Sequence, residues 1–179
     1  MRLQHLLHIA LFAALTVALS FVRVPLPISP VPVTGQTLAT MLAGLMLGGR
    51  GGALSQLIYV LIGAVGLPVF GGLGGPSALM GPTGGYLIGM IVGAAVIGWM
   101  VDGRSNVVMM VVSCIVGGML VVYIPGVLWL SRLMVMDLNS AVVIGVLPYL
   151  VGDGLKVVLA VMLAFRLRPI QSTLRMDRH

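Results

Sequence analysis

The sequence predicts an all-α integral membrane protein, a compact bundle of six transmembrane helices with both termini in the cytoplasm. Of 179 residues, 59% are hydrophobic and 8% are charged, against about 25% charged in an ordinary soluble domain. Ten basic and four acidic side chains cannot form the polar surface that a soluble fold needs. The apolar residues fall into six runs, and the basic residues gather in alternate connections between them. The length predicts a single membrane domain over residues 1–179.

The six runs predict helices at about 6–22, 35–48, 53–67, 83–101, 107–124 and 140–165. The first run ends at Arg23 and a proline series, the second at a glycine-rich turn around Arg50, and the fifth at Pro125. Several runs are shorter than the ~20 residues that cross a bilayer, so we expect extension into flanking segments. Five further runs follow the first, which favours a retained helix over a cleavable signal peptide.

The 25 glycines are about twice the usual share. Lipid supplies no hydrophobic drive for helix association, and small residues let helices approach closely instead. The glycines therefore predict tight helix packing. Cys114 is the single cysteine, so no internal disulfide can form.

The basic residues predict the orientation. With a cytoplasmic N-terminus, Arg23 and Arg132 lie outside and Lys156 lies within the sixth helix. Seven lie on the cytoplasmic side: Arg2, Arg50, Arg104, Arg166, Arg168, Arg175 and Arg178. This bias follows the positive-inside rule and turns the loops 23–34, 68–82 and 125–139 outward. Because these residues flank apolar runs and form no stripe with aromatic residues, the net charge of +6 does not indicate nucleic-acid binding.

The outward loops contain most of the prolines and the glycine-rich segment 71–76, which suggests a cover over a cavity. Thr34 and Thr83 stand just before helix starts, where threonine can cap the first turn. The second, fourth and sixth helices all begin on this side. Their partially positive N-termini would favour an anionic ligand group.

Asp153 and Lys156 form the one ionisable pair inside an apolar run. Three positions apart, they share a helix face. A charge near the bilayer centre costs at least ~2.5–3.5 kcal/mol, so the pair needs an explanation. One is a self-neutralising ion pair that sets helix packing. The interpretation we favour is a ligand site, in which the acid accepts from ligand N–H groups, the ammonium meets a carboxylate, and Gly152 permits close approach.

Other chemistry is not indicated. His5 and His8 have no carboxylate or cysteine neighbours in the sequence, so no metal site is predicted. The glycine-rich segment lacks the lysine and Ser/Thr of a phosphate-binding loop, and no catalytic triad or carboxylate pair appears. The sequence predicts neither an enzyme nor a bound cofactor.

Three blocks resemble the BioY family: residues 27–72 (PISPVPVTGQTLATMLAGLMLGGRGGALSQLIYVLIGAVGLPVFGG), 81–89 (GPTGGYLIG) and 148–156 (PYLVGDGLK). The resemblance extends from Ala10 to about Pro169. It implies a substrate-specific S component of an energy-coupling-factor (ECF) transporter, for high-affinity capture and uptake of biotin through the bacterial or archaeal cytoplasmic membrane. The implied partners, besides membrane lipids, are a transmembrane coupling protein and paired ABC-type ATPases.

The resemblance places Asp153 and Lys156 at the family's ligand-binding acid and lysine, and implies contacts from Thr34, Gln36 and the 68–86 region. Some relatives use asparagine and arginine there, and residues 51–103 contain neither. Ser77, Thr83 and Tyr86 are the substitutes we expect.

The first helix predicts a partner surface. Ala10, Ala14 and Ala18 fall four residues apart, a spacing that allows close helix crossing. The stripe could pack within the bundle; the resemblance implies that it docks the coupling protein. Two other functions stay open at this point, an S component for another vitamin such as thiamine or riboflavin, and a non-transport membrane scaffold.

Overall fold

The computed structural model describes residues 3–102 and 106–167. The described elements are α1 (Leu3–Ser20), β1 (Arg23–Leu26), β2 (Ser29–Thr34), α2 (Gln36–Ala64), α3 (Pro76–Leu79), α4 (Gly84–Val101), α5 (Val107–Ile115), a π-helical turn (Val116–Leu120), α6 (Val121–Leu133), α7 (Leu138–Gly145), a 3₁₀ turn (Leu147–Tyr149) and α8 (Leu150–Arg166). Five of the basic residues that the sequence predicts on the cytoplasmic side lie outside the described residues: Arg2, Arg104, Arg168, Arg175 and Arg178.

Five helical stretches of the described chain are long and apolar enough to cross a membrane. They are Leu3–Ser20, Gln36–Ala64, Gly84–Val101, Val107–Leu133 and Leu138–Arg166. Large apolar side chains cover the outside of the bundle, among them Leu11 at 62% exposure and Leu155 at 63%. A surface of this kind suits lipid and not water, so the predicted helical membrane class is confirmed.

The predicted second and third helices form one element, α2, which folds back on itself at Gly48. Gly48 has φ +78° inside the helix, a conformation that glycine adopts without steric cost. The Thr40 Oγ1 and Gln56 Oε1 atoms lie 3.2 Å apart, although sixteen residues of straight helix would span about 24 Å. Residues 36–47 and 49–64 are therefore two antiparallel arms.

Glycines allow the helices to pack backbone to backbone, as predicted. A Cβ at Gly44 of α2 would lie 2.8 Å from the Ala94 carbonyl oxygen of α4. A Cβ at Gly89 would lie 2.8 Å from Cα of Val122 in α6. Any larger side chain at these positions would force the helices apart.

The all-α prediction is wrong for residues 23–34, which form an antiparallel β-hairpin. Arg23 pairs with Thr34, Val24 with Val33 and Leu26 with Ser29, and the register shifts between Val24 and Leu26. The shift falls at Pro25, a residue without the N–H that a ladder needs. Proline also favours extended backbone in the residue before it, so the series that ends the first helix also shapes these strands.

The predicted helix end at 124 and the outward loop 125–139 are also wrong, because α6 continues through Pro125 to Leu133. The π-helical turn Val116–Leu120 lies immediately before α6. Such local adjustments re-satisfy the backbone where proline removes a hydrogen bond, and they are common in membrane helices.

The predicted helix 140–165 is interrupted. α7 ends at Gly145 and α8 begins at Leu150, with the 3₁₀ turn and Pro148 between them. The break places Asp153 in the first turn of α8, where the partial positive charge of a helix N-terminus stabilises a carboxylate.

Candidate functional site

A cavity opens where α2, α4 and α8 begin, beneath the β-hairpin. It encloses about 720 Å³ of empty space, counting its open mouth. Seventeen residues line it: Arg23, Val31, Pro32, Thr34, Gln36, Thr37, Phe70, Gly71, Thr83, Tyr86, Leu87, Met90, Val122, Tyr123, Tyr149, Asp153 and Lys156. Two of these starts, those of α2 and α4, are helix starts that the sequence placed around a cavity. The third is the start of α8, which lies inside the predicted sixth helix and not at its beginning.

Asp153 lines the cavity, and the residue as a whole is 3% exposed. Its Oδ1 accepts from Thr37 Oγ1 at 3.0 Å and from Lys156 Nζ at 2.6 Å. Its Oδ2 accepts a short hydrogen bond from the Tyr123 hydroxyl. A carboxylate has about four lone-pair sites, so one is left for a ligand donor.

Lys156 is held by the same group. Its Nζ donates to Asp153 and, at 3.0 Å, to Thr37 Oγ1. Its side chain keeps 15% exposure, compared with 4% for Asp153. An ammonium has three N–H donors, so one remains for a ligand acceptor in the cavity.

Sequence reasoning missed Thr37 and Tyr123, which complete this group. Thr37 lies in the first turn of α2 and Tyr123 lies in α6, both far from Asp153 along the chain. A hydroxyl in an apolar run most often packs or bonds its own helix, so neither residue carried a signal. The buried carboxylate itself was the available signal, since such a group needs donors from neighbouring helices.

Gln36 and Thr34 line the cavity as predicted residues of the first loop, and they bond to each other. Thr34 Oγ1 donates to Gln36 Oε1 at 2.9 Å, and Gln36 Nε2 makes a short hydrogen bond with the Tyr59 hydroxyl. Tyr59 donates to the Val69 carbonyl at 3.2 Å. This chain of bonds ties the wall of the cavity to the segment after α2.

Thr83 and Tyr86 also line the cavity. The Tyr86 hydroxyl donates to the Gly145 carbonyl at 2.9 Å, which joins α4 to the end of α7. The predicted threonine caps are wrong. Gly35 stands at the α2 cap position, and Thr83 stands at the α4 cap without a side-chain capping bond. Thr83 adopts helical φ/ψ of −88° and −9°, in place of the extended conformation that aims a capping oxygen at the first turn.

Ser77 and Gly152 are not brought into the cavity lining. Ser77 is exposed on the short helix α3. A Cβ at Gly152 would meet Val33 of the β-hairpin at 4.0 Å, so this glycine faces the hairpin.

Arg23 and Tyr149 line the cavity without having been predicted. The sequence predicts Arg23 only as an outward-facing charge. Its Nη1 donates to the Gly71 carbonyl at 2.7 Å. The Tyr149 hydroxyl lies 2.7 Å from Ser29 Oγ and makes a short bond to the Val31 carbonyl, which fastens the β-hairpin over the start of α8.

The predicted docking stripe lies on a different surface. Ala10, Ala14 and Ala18 are all exposed on α1, whereas Ile9, Phe12 and Ala13 face the core. The stripe therefore lies on the solvent- or lipid-facing side of α1, away from its core-facing residues.

The model of the BioY family matches residues 1–173 of this chain. The chain belongs to the BioY family. A probable biotin transporter BioY of Pyrococcus horikoshii is 41% identical over 161 residues, which cover 89% of this chain and 93% of that protein. The biotin transporter BioY of Thermotoga maritima is 37% identical over 170 residues, covering 94% of this chain and 98% of that protein.

The BioY fold is matched by a solved structure as well. The S component for biotin from an ECF-type ABC transporter superposes with a TM-score of 0.88 at 28% sequence identity. The match covers 94% of this chain and 92% of that one. The resemblance found in the three sequence blocks is thus confirmed.

Proposed function

We propose that this BioY protein captures biotin from outside the cell as the substrate-specific membrane subunit of an ECF transporter. The observation that carries the proposal is the cavity at the starts of α2, α4 and α8, where a buried Asp153–Lys156 pair stands in apolar surroundings. Relatives along nearly the whole chain are named as biotin transporters, and the matching structure is an S component for biotin. The proposal places the chain among transport proteins and not among enzymes.

The cavity suits a ligand that is part apolar and part polar. Phe70, Leu87, Met90 and Val122 provide apolar wall for the sulfur-containing ring and the methylene chain of biotin. The proposed polar contacts come from six predicted residues that line the cavity: Thr34, Gln36, Thr83, Tyr86, Asp153 and Lys156. Asp153 has one lone pair and Lys156 one N–H to offer, which matches the N–H donors and the carbonyl acceptor of the ureido group.

We propose six membrane crossings, with the two arms of α2 counted separately. Six crossings return the chain to the side on which it began, and the positive-inside bias makes that side the cytoplasm. Among the described basic residues, Arg50 lies beside the Gly48 fold and Arg166 ends α8. Both are remote from the cavity end. The cavity would then open outward, where a vitamin is captured.

We propose that the alanine stripe of α1 docks the transmembrane coupling protein, which works with paired ATPases in the cytoplasmic membrane of a bacterium or archaeon. The exposure of Ala10, Ala14 and Ala18 supports an external partner over packing inside the bundle. Small residues on an exposed helix face let a second helix approach closely.

Calorimetric titration of the detergent-purified protein with biotin tests the proposed function, with thiamine and riboflavin titrated in parallel. We expect saturable binding of biotin alone. Saturable binding of another vitamin without biotin would indicate a different S component. A folded, monodisperse protein that binds none of the three would favour a scaffold, in which Asp153 and Lys156 only hold helices together.

A further inference from the structure

Three charged side chains line the cavity, and they are not equivalent. Lys156 and Asp153 neutralise each other with an N–O distance of 2.6 Å. Arg23 is the remaining charge, and the described lining contains no carboxylate besides Asp153. The cavity therefore carries one net positive charge, and it resides on the guanidinium of Arg23.

Arg23 is held in place at the mouth of the cavity by Gly71. Besides the 2.7 Å hydrogen bond to the Gly71 carbonyl, a Cβ at Gly71 would lie 3.2 Å from Cδ of Arg23. Gly71 has φ +62°, which favours glycine, and its N–H donates to Ser20 Oγ at 3.2 Å. Of the five N–H groups of a guanidinium, one is used in this way. The remaining N–H groups can donate two parallel hydrogen bonds to a carboxylate.

Arg23 and the ion pair line the same cavity, and residues of the β-hairpin and α2 connect them along its wall. Arg23 pairs with Thr34 across the β-hairpin, about 5 Å between Cα atoms. Thr34 precedes Thr37 by three residues, which span at most about 11 Å, and Thr37 contacts both Asp153 and Lys156 at 3.0 Å. Because Arg23, Asp153 and Lys156 line one cavity, a ring bound at the ion pair can extend a carboxylate on a flexible chain toward Arg23.

We propose that Arg23 binds the ligand carboxylate, while Lys156 stays paired with Asp153 and contacts the ring. This inference rests on the proposed function and deepens it, because it assigns the two ends of biotin to different residues. It moves the carboxylate from Lys156, where the sequence placed it, to the first strand. An ammonium already neutralised at 2.6 Å attracts a second anion less than an unpaired guanidinium does.

The test compares biotin with biotinamide, which keeps the ring and chain but has no charge, on purified Arg23→Gln, Arg23→Lys and wild-type protein. For the wild type we expect the amide to bind about 10- to 100-fold more weakly than biotin, as loss of a charge-assisted contact implies. Arg23→Gln should lower biotin affinity by the same factor and leave amide affinity within about twofold. Arg23→Lys keeps the positive charge but lacks the planar guanidinium that makes two parallel hydrogen bonds. Its biotin affinity should lie between those of the wild type and Arg23→Gln.

Arg132→Gln is the matched control, since it removes one positive charge near the same end of the bundle from a residue outside the cavity lining. It should change the affinity of neither ligand. Any general effect of net charge would appear in this variant and would weaken in high salt.

Three results would overturn the assignment: an amide that binds the wild type as tightly as biotin, an Arg23→Gln variant with wild-type biotin affinity, or equal loss of both ligands in that variant. If Arg23→Gln does not fold, Arg23→Lys decides in its place, because a selective loss of biotin affinity is expected there too. A wild-type protein that binds neither ligand would instead refute the proposed function, so the two failures can be told apart.

Discussion

Replacing Asp153 and Lys156 one at a time and together separates a ligand site from an ion pair that only holds helices. The pair is largely buried, with side-chain exposures of 4% for Asp153 and 15% for Lys156. Asp153→Asn keeps the shape and one acceptor oxygen but removes the charge opposite Lys156. Lys156→Met keeps the length and leaves the carboxylate with Thr37 and Tyr123 as donors.

The expected cost to stability follows from burial. Removing one partner of a buried ion pair typically costs about 3–5 kcal/mol because the other charge is left buried and unpaired, and removing both charges avoids that penalty. Lys156 faces a cavity that water can enter, so we expect each single variant at the lower end of that range. Asp153→Asn/Lys156→Met should recover much of the loss in the apparent melting temperature.

Binding should behave differently from stability. If both groups contact the ring, each single variant loses about 10- to 100-fold in affinity, since one hydrogen bond to a charged group contributes ~1.5–3 kcal/mol. The loss should be equal for biotin and biotinamide, because the ring is common to them. The double variant should bind both ligands as weakly as the single variants do. Calorimetry gives the binding affinity and thermal unfolding gives the melting temperature, both on the same preparations. A stable double variant with wild-type biotin affinity would refute the ligand role.

Three further predictions concern the rest of the molecule. Cysteine introduced at Ser77 should react with an impermeant thiol reagent on intact cells and cysteine at Asn106 should not; the opposite pattern would reverse the orientation. Ala14→Leu should weaken co-purification with the coupling protein and leave biotin binding within about twofold, since a larger side chain prevents close helix approach; loss of both would mean that the stripe supports the bundle. Gly44→Ala should lower stability by about 1–3 kcal/mol through overpacking against Ile97 Cβ, 2.7 Å from the new Cβ. Gly154→Ala, whose Cβ meets nothing within 4 Å, should not lower it; equal melting temperatures would contradict the packing argument.

The membrane class and the position of the charged pair were readable from the sequence because each rests on a large energetic penalty. A charge in an apolar run is expensive, so Asp153 and Lys156 stood out against their neighbours. The alternation of helix directions, which follows from the number of runs, then predicted which helix starts share one end. The cavity lies at two of those starts, those of α2 and α4, and at the start of α8 inside the predicted sixth helix.

The partners of the charged pair were not readable, because they depend on contacts between distant parts of the chain. Thr37 is 116 residues from Asp153 and Tyr123 is 30 residues away. Nothing in either residue's local sequence distinguishes it from a packing side chain. The glycine-rich turn in the sequence indicated a chain reversal near Gly48. It did not indicate that Gly48 is the one residue of α2 at which the backbone leaves helical geometry.

The hydrogen bonds of the buried polar residues indicate what kind of ligand the cavity selects. Away from the cavity the buried polar side chains of the described residues are paired within the protein, with the exception of His8 Nδ1. Gln56 Nε2 donates to Thr16 Oγ1 at 3.1 Å and Ser20 Oγ to the Val69 carbonyl at 2.6 Å. At the cavity, the hydrogen-bonding groups that have no partner within the protein are mainly N–H donors, on the Arg23 guanidinium and the Lys156 ammonium. An unsatisfied donor costs free energy when a ligand excludes water from it. The cavity should therefore prefer a ligand with acceptors at both ends and a small number of N–H groups near one of them. A ureido ring joined to a carboxylate has that arrangement. A cationic vitamin such as thiamine would place its charge beside Arg23 and lose affinity.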